Sequence, residues 1–298
     1  MIHNKESIPT IIGSTIGMTG SLIFIISYSI LKKMRDSARK FIFTLAICDF
    51  FLAFFAILPG PSSDLLCKFQ GFFFSFTFAA SCSLIFLTSL VFYLKIRYGK
   101  NVDQSKKFFI IGIIIIVIIC LLASSLFVIF GEIGPGNTHW CWITKIRIEP
   151  IIYSIVWSTL LATLILYSII FCKLKQNPKY SKSFQYKIFA LGWIYLFTEL
   201  WTSVKRGRQL ADPKVEDNLF LDVMQAVLTP MLGLWDSVFF VFGDKNVRSL
   251  LKFKFKYKTR KYKQLKVIVL DNPNIIEFFD HPKTETETEN ETENEDYY

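Results

Sequence analysis

Histidine is scarce in this chain, and positive charge is kept out of its long apolar stretches. Three histidines occur in 298 residues, and His3, His139 and His281 all lie outside those stretches. A hydrolase working within a membrane needs histidines or paired acids as metal ligands, and no His-Glu-x-x-His occurs. A retinal Schiff base needs a lysine in the last stretch, and none of the stretches contains a lysine. Nucleic-acid motifs are absent, so the net charge of +10 must have another use. No segment between the stretches is long enough for a folded soluble domain. The chain is expected to be neither an enzyme nor a nucleic-acid-binding protein, with no cofactor and no metal.

What is present is apolar. Hydrophobic residues make up 52% of the chain, extreme for a soluble domain. They gather in seven runs: 8–31, 41–58, 71–94, 108–130, 151–172, 188–204 and 219–242. A bilayer core about 30 Å thick needs about 20 apolar residues at 1.5 Å rise each, so these runs predict seven spanning helices in an all-α membrane bundle. Of the Lys and Arg residues, 26 fall on one side of that arrangement and eight on the other. Short cytoplasmic loops hold the positive excess, which places the N-terminus outside and the C-terminus inside. Residues 1–7 are too few for a cleaved signal peptide, so the first run is expected to serve as the insertion signal.

Cys48, Cys82 and Cys120 fall inside spans, where a thiol is a small packing group. Cys172 closes the fifth span. Cys67 and Cys141 alone fall on the outer side, in an oxidising compartment, and the economical pairing is a disulfide between them.

A cysteine opening the third of seven helices and another in the second outer loop form the pattern of G-protein-coupled receptors. Within it, His139-Trp140-Cys141-Trp142-Ile143 resembles the outer loop of the cyclic AMP receptor and cyclic AMP receptor-like family of social amoebae. Similar words continue in the sixth run, from Trp193 and from Trp201, and in the seventh from Gly233 through Trp235. The resemblance covers roughly residues 8–250. Lys95-Ile96-Arg97-Tyr98 stands in place of the Asp-Arg-Tyr of animal rhodopsin-like receptors, and their Asn-Pro-x-x-Tyr is absent. The resemblance implies an extracellular ligand, a heterotrimeric G protein as partner and a place in the plasma membrane. Lys95, Arg97, Tyr98 and Lys187 are the residues expected to face the G protein. A small seven-helix transporter is the alternative; it requires the first three runs to resemble the last three, and they do not.

Charged groups inside a span cost about 2.5 to 3.5 kcal/mol at its centre and mark functional sites by default. Asp49 and Asp236 lie about 12 and 9 Å from the inner ends of the second and seventh spans, at 1.5 Å per residue. One polar pocket can hold both, as a switch sharing a proton or a cation; the other reading has each acid satisfied separately by Ser, Thr or water. Pro230 removes a backbone donor beside them and predicts a kink. Toward the outside, Glu199, Lys205, Arg206 and Arg208, with Trp142, Lys145 and Arg147, form a candidate site for an anionic ligand such as cyclic AMP. The alternative is pairing of these charges with Asp212, Glu216 and Asp217.

After the last span, residues 243–266 are expected to form a short amphipathic helix and a polybasic segment on the anionic inner leaflet, each charge contributing about 1 kcal/mol. Residues 267–298 are expected to be a disordered acidic tail. Its Thr284, Thr286, Thr288 and Thr292 sit beside glutamates and are candidates for phosphorylation.

Overall fold

The computed structural model describes residues 4–31, 37–59, 63–98, 102–131, 133–135, 140–143, 149–176, 182–211, 218–243 and 247–250. Six long helices come first: α1 (Asn4–Ile30), α2 (Ser37–Ile57), α3 (Asp64–Tyr98), α4 (Val102–Ile129), α5 (Glu149–Gln176) and α6 (Lys182–Ala211). Between α4 and α5 lies a two-stranded antiparallel hairpin, β1 (Ile133–Pro135) with β2 (Cys141–Ile143). A broken helix follows, α7 (Leu219–Leu228) and α8 (Leu232–Ser237), running into a π-helical turn at Val238–Phe242.

Five helices, α1 to α5, are long and apolar enough to cross a membrane, and the α7–α8 pair makes a sixth if counted as one bent span. Helix α6 does not qualify by composition, although it has 30 residues. The reason is its share of polar residues, and these point inward. Tyr195, Thr198, Glu199, Thr202 and Lys205 recur at helical spacing and are all buried, whereas Trp193, Phe197, Leu200 and Val204 on the other side are exposed. Helix α6 is thus amphipathic in reverse, polar toward its neighbours and apolar outward, as an intramembrane helix with a polar interior must be. It also runs past Val204, where its apolar run stops. No proline interrupts the chain until Pro213, and the buried Lys205 is stabilised by an ion pair described below.

Helix α3 is the axis of the bundle. It packs against α2, α4, α5 and both strands. It is 35 residues long, about 52 Å at 1.5 Å per residue, and so extends beyond a bilayer core.

The α7–α8 pair bends by 49° at Thr229-Pro230-Met231. Pro230 has no N–H to give to the preceding turn and its ring crowds it, which accounts for the break the sequence predicted. Asn218 starts α7 as its cap, its side chain accepting from the N–H of Phe220 and Leu221 at 3.0 and 3.4 Å. The bend is held by α1. A Cβ on Gly17 would collide with the Pro230 carbonyl oxygen, and one on Gly20 with the backbone of Leu234. Small residues let helix backbones meet closely where lipid supplies no hydrophobic drive. Ser237 then donates its hydroxyl to the Gly20 carbonyl.

Candidate functional site

At one end of the bundle the hairpin is tied down on α3. Cys67, in the first turns of α3, and Cys141, in β2, form the disulfide expected from the sequence, with Cα atoms 5.4 Å apart. Gln70, one turn along, fixes the same strand and α2 together. Its amide donates to the carbonyls of Phe55 and Leu58 at 2.9 and 2.6 Å, and its oxygen accepts from the Cys141 N–H at 3.2 Å. The tryptophans flanking Cys141 lie on the aromatic face of α3. Trp140 stacks on Phe74 with ring centres 5.1 Å apart, and Trp142 meets Phe74 and Phe78 edge-on at 5.2 and 5.9 Å.

Deeper in the bundle α2, α3, α6 and α8 each contribute buried polar groups. Asp49 accepts from the Ser81 hydroxyl on one carboxylate oxygen and from the Tyr195 hydroxyl, at 2.6 Å, on the other. Asp236, fully buried on α8, is within electrostatic reach of Asp49 and of Tyr195, and neither of its oxygens has a hydrogen-bond partner among the described residues. The two acids therefore occupy one polar region but are not equivalent: one is bonded on both oxygens, the other on neither. Glu199 on α6 is also fully buried, with neither oxygen bonded among the described residues. Thr202 of α6 and Thr229 at the break face each other at 3.4 Å, so the hinge touches the same interior.

The ligand candidates are not gathered as the sequence suggested. Trp142 is buried under the hairpin. Lys205 is 5% exposed and paired with Asp222 of α7 at 2.6 Å, a partner that had not been anticipated. Glu199 lies three turns inside the end of α6 rather than in its last turns. Arg208 is exposed in the last turn. Lys145 and Arg147 lie outside the described residues, as does the side chain of Arg206. Lys95, Arg97 and Tyr98 fall in the last turn of α3 and Lys187 in α6, with side chains outside the described residues. The four tail threonines, and the segment from 251 onward, also lie outside. Residues 247–250 are helical.

Four further residues have roles here, and two of them carry a signal in the sequence. Asp222 is a second acid in the seventh apolar run, beside Asp236, and stands out by the same rule as Asp49 and Asp236. Tyr195 belongs to the sixth-run word that starts at Trp193, with no role attached. Ser81 and Gln70 look like ordinary helical polar residues, and only the packing of α3 against α2, α6 and the hairpin distinguishes them.

Residues 20–270 match the family described as 7 transmembrane receptor (rhodopsin family). The chain is 24% identical over 296 residues, 94% of its own length and 77% of the relative's, to "Cyclic AMP receptor-like protein A" of Dictyostelium discoideum. It is 25% identical over 136 residues, 43% of its own length and 39% of the relative's, to "G-protein coupled receptor 1" of Arabidopsis thaliana. Likeness to the amoeboid receptors and membership of the wider rhodopsin family thus coexist, even though two of that family's short motifs are missing. A match through most of a multi-pass helical chain, with receptors as its relatives, makes this protein a receptor and not an enzyme: it belongs to the 7 transmembrane receptor (rhodopsin) family.

Proposed function

We propose that this receptor lies in the plasma membrane with seven spans, α6 being the sixth and the bent α7–α8 pair the seventh. Its hairpin end faces outward, where it binds an extracellular ligand, and its opposite end activates a heterotrimeric G protein. The observation that carries the reading is the unequal pair of acids beside the break. A signalling receptor needs an element with two arrangements of similar energy, each favoured by different contacts. Asp49 has its partners; Asp236, six residues beyond Pro230 on the far side of a 49° bend, has none among the described residues. Rotation of α8 at the break would bring Asp236 to the Ser81 and Tyr195 hydroxyls, and ligand binding at the hairpin end would bias that exchange.

An anionic ligand such as cyclic AMP suits the cations of that end. Arg208 is exposed there, with Arg206, Lys145 and Arg147 as the other candidates. Lys205 serves the fold through Asp222, and Glu199 and Trp142 act from within the bundle. On the opposite side, Lys95, Arg97, Tyr98 and Lys187 are the proposed G-protein contacts, and the tail beyond residue 266 is a regulatory segment open to phosphorylation at Thr284, Thr286, Thr288 and Thr292.

The test is a ligand screen in intact cells, read by second-messenger change, with epitope tags before Ile8 and after Tyr298. The N-terminal tag should label from outside and the C-terminal tag only after permeabilisation. At least one extracellular anionic ligand should evoke a response that Arg208→Gln weakens. Reversed labelling, or no G-protein-dependent response from surface-expressed receptor to any ligand, would overturn the proposal.

A further inference from the structure

A cavity lies on the α4–α5 side of α3. It has a volume of about 330 Å³ and is bounded by α3, α4, α5 and β2, with Phe78 and Cys82 as floor, Ala123 and Phe127 on one wall, Val156 on the other and Trp142 as roof. That volume is at the lower end of the range for small-molecule sites, about 300 to 1,000 Å³. Its exposed lining is mostly apolar, although Ser75, Ser83, Ser124 and Thr159 border it, and apolar cavities of this kind hold water poorly.

Its mouth faces lipid. Helices α4 and α5 both pack on α3 but make at most slight contact with each other among the described residues. The lining residues Ile119, Leu126 and Phe130 of α4 are also exposed, on the helix whose surface is least covered by protein. A dry slot open sideways between two spanning helices is in contact with hydrocarbon chains and with little else.

We propose that this cavity is a lipid site. One acyl chain of a membrane lipid, from the leaflet at the hairpin end, enters between α4 and α5 and lies along α3. Cys82, on the cavity floor, directly follows Ser81, so an inserted chain bears on the turn of α3 that bonds Asp49. The site is separate from the anionic-ligand site, and either can fail alone.

The test uses full-length receptor in phosphatidylcholine vesicles containing a phosphatidylcholine analogue with a diazirine in one acyl chain, with adducts mapped by mass spectrometry after irradiation. Adducts on Ala123, Phe127 and Val156 should saturate at low analogue fraction, whereas those on the lipid-facing side of α1, at Ile12 and Ile26, should rise in proportion to it. Ala123→Phe, which fills the slot, should remove the cavity adducts and leave those on α1. Should Ala123→Phe fail to reach the membrane, the wild-type saturation curves still decide. Cavity adducts that rise in parallel with those on α1, or that persist at full level with the slot filled, would overturn the proposal.

Discussion

Helices α3 and α4 are neighbours in sequence and both strongly apolar, yet they live in opposite surroundings. In its most apolar window α3 is 67% buried and α4 only 17%. Helix α3 carries Gln70, Ser75, Thr77, Ser81, Thr88 and Ser89, all buried, while α4 shows lipid a nearly unbroken surface of Ile, Leu, Val and Phe. In a bilayer the hydrophobic effect does not draw helices together, because lipid is as apolar as Leu; polar groups and close packing do. The more polar helix therefore lies at the centre and the greasier one at the rim.

Changes at the centre should thus be costly and changes at the rim mild. The largest effect is expected at the buried ion pair. Lys205→Met leaves Asp222 uncompensated and should destabilise by about 3 to 5 kcal/mol, whereas Lys205→Met with Asp222→Leu should recover much of the loss. Thermal unfolding of purified receptor measures both. If the single change were harmless to folding but abolished ligand response, Lys205 would be a ligand contact after all.

Loss of the disulfide comes next, at about 2 to 5 kcal/mol. Cys67→Ser and Cys141→Ser should lower surface expression equally, and the double change should be no worse than either. A steeper fall in the double variant would mean the two cysteines act separately.

The smallest of these effects tests the contrast itself. Leu84→Ala, at a buried position of α3, should cost about 2 to 4 kcal/mol. Ile115→Val, at an exposed position of α4, should cost under about 0.5 kcal/mol. Equal costs would mean that α4 has a protein partner in the membrane.

The rim was more legible in the sequence than the centre. A run such as Phe108 to Phe130 has one reading, because only lipid suits a helix apolar on every side. The Cys67–Cys141 bridge was legible because topology left no other outer cysteines, and the bend because proline acts locally. Partnerships across helices were not legible. Nothing in the spacing of Asp49, Ser81 and Tyr195 says that three helices meet there, and Lys205 and Asp222 are separated by acids that offered themselves as partners. Trp142 illustrates the same limit: its place in the outer loop across from the basic cluster suggested a ligand contact, while its ring is buried against Phe74 and Phe78.

The central claim is that Asp49 and Asp236 form one switch, and a double-mutant cycle on basal second-messenger signalling tests it most directly. Asp49→Asn, Asp236→Asn and the double variant are compared at matched surface expression. The account predicts that each single change alters basal signalling and that the double departs from the product of the two by more than about threefold, as residues sharing one network do. A double variant within about twofold of that product would contradict it, making the two acids independent neighbours.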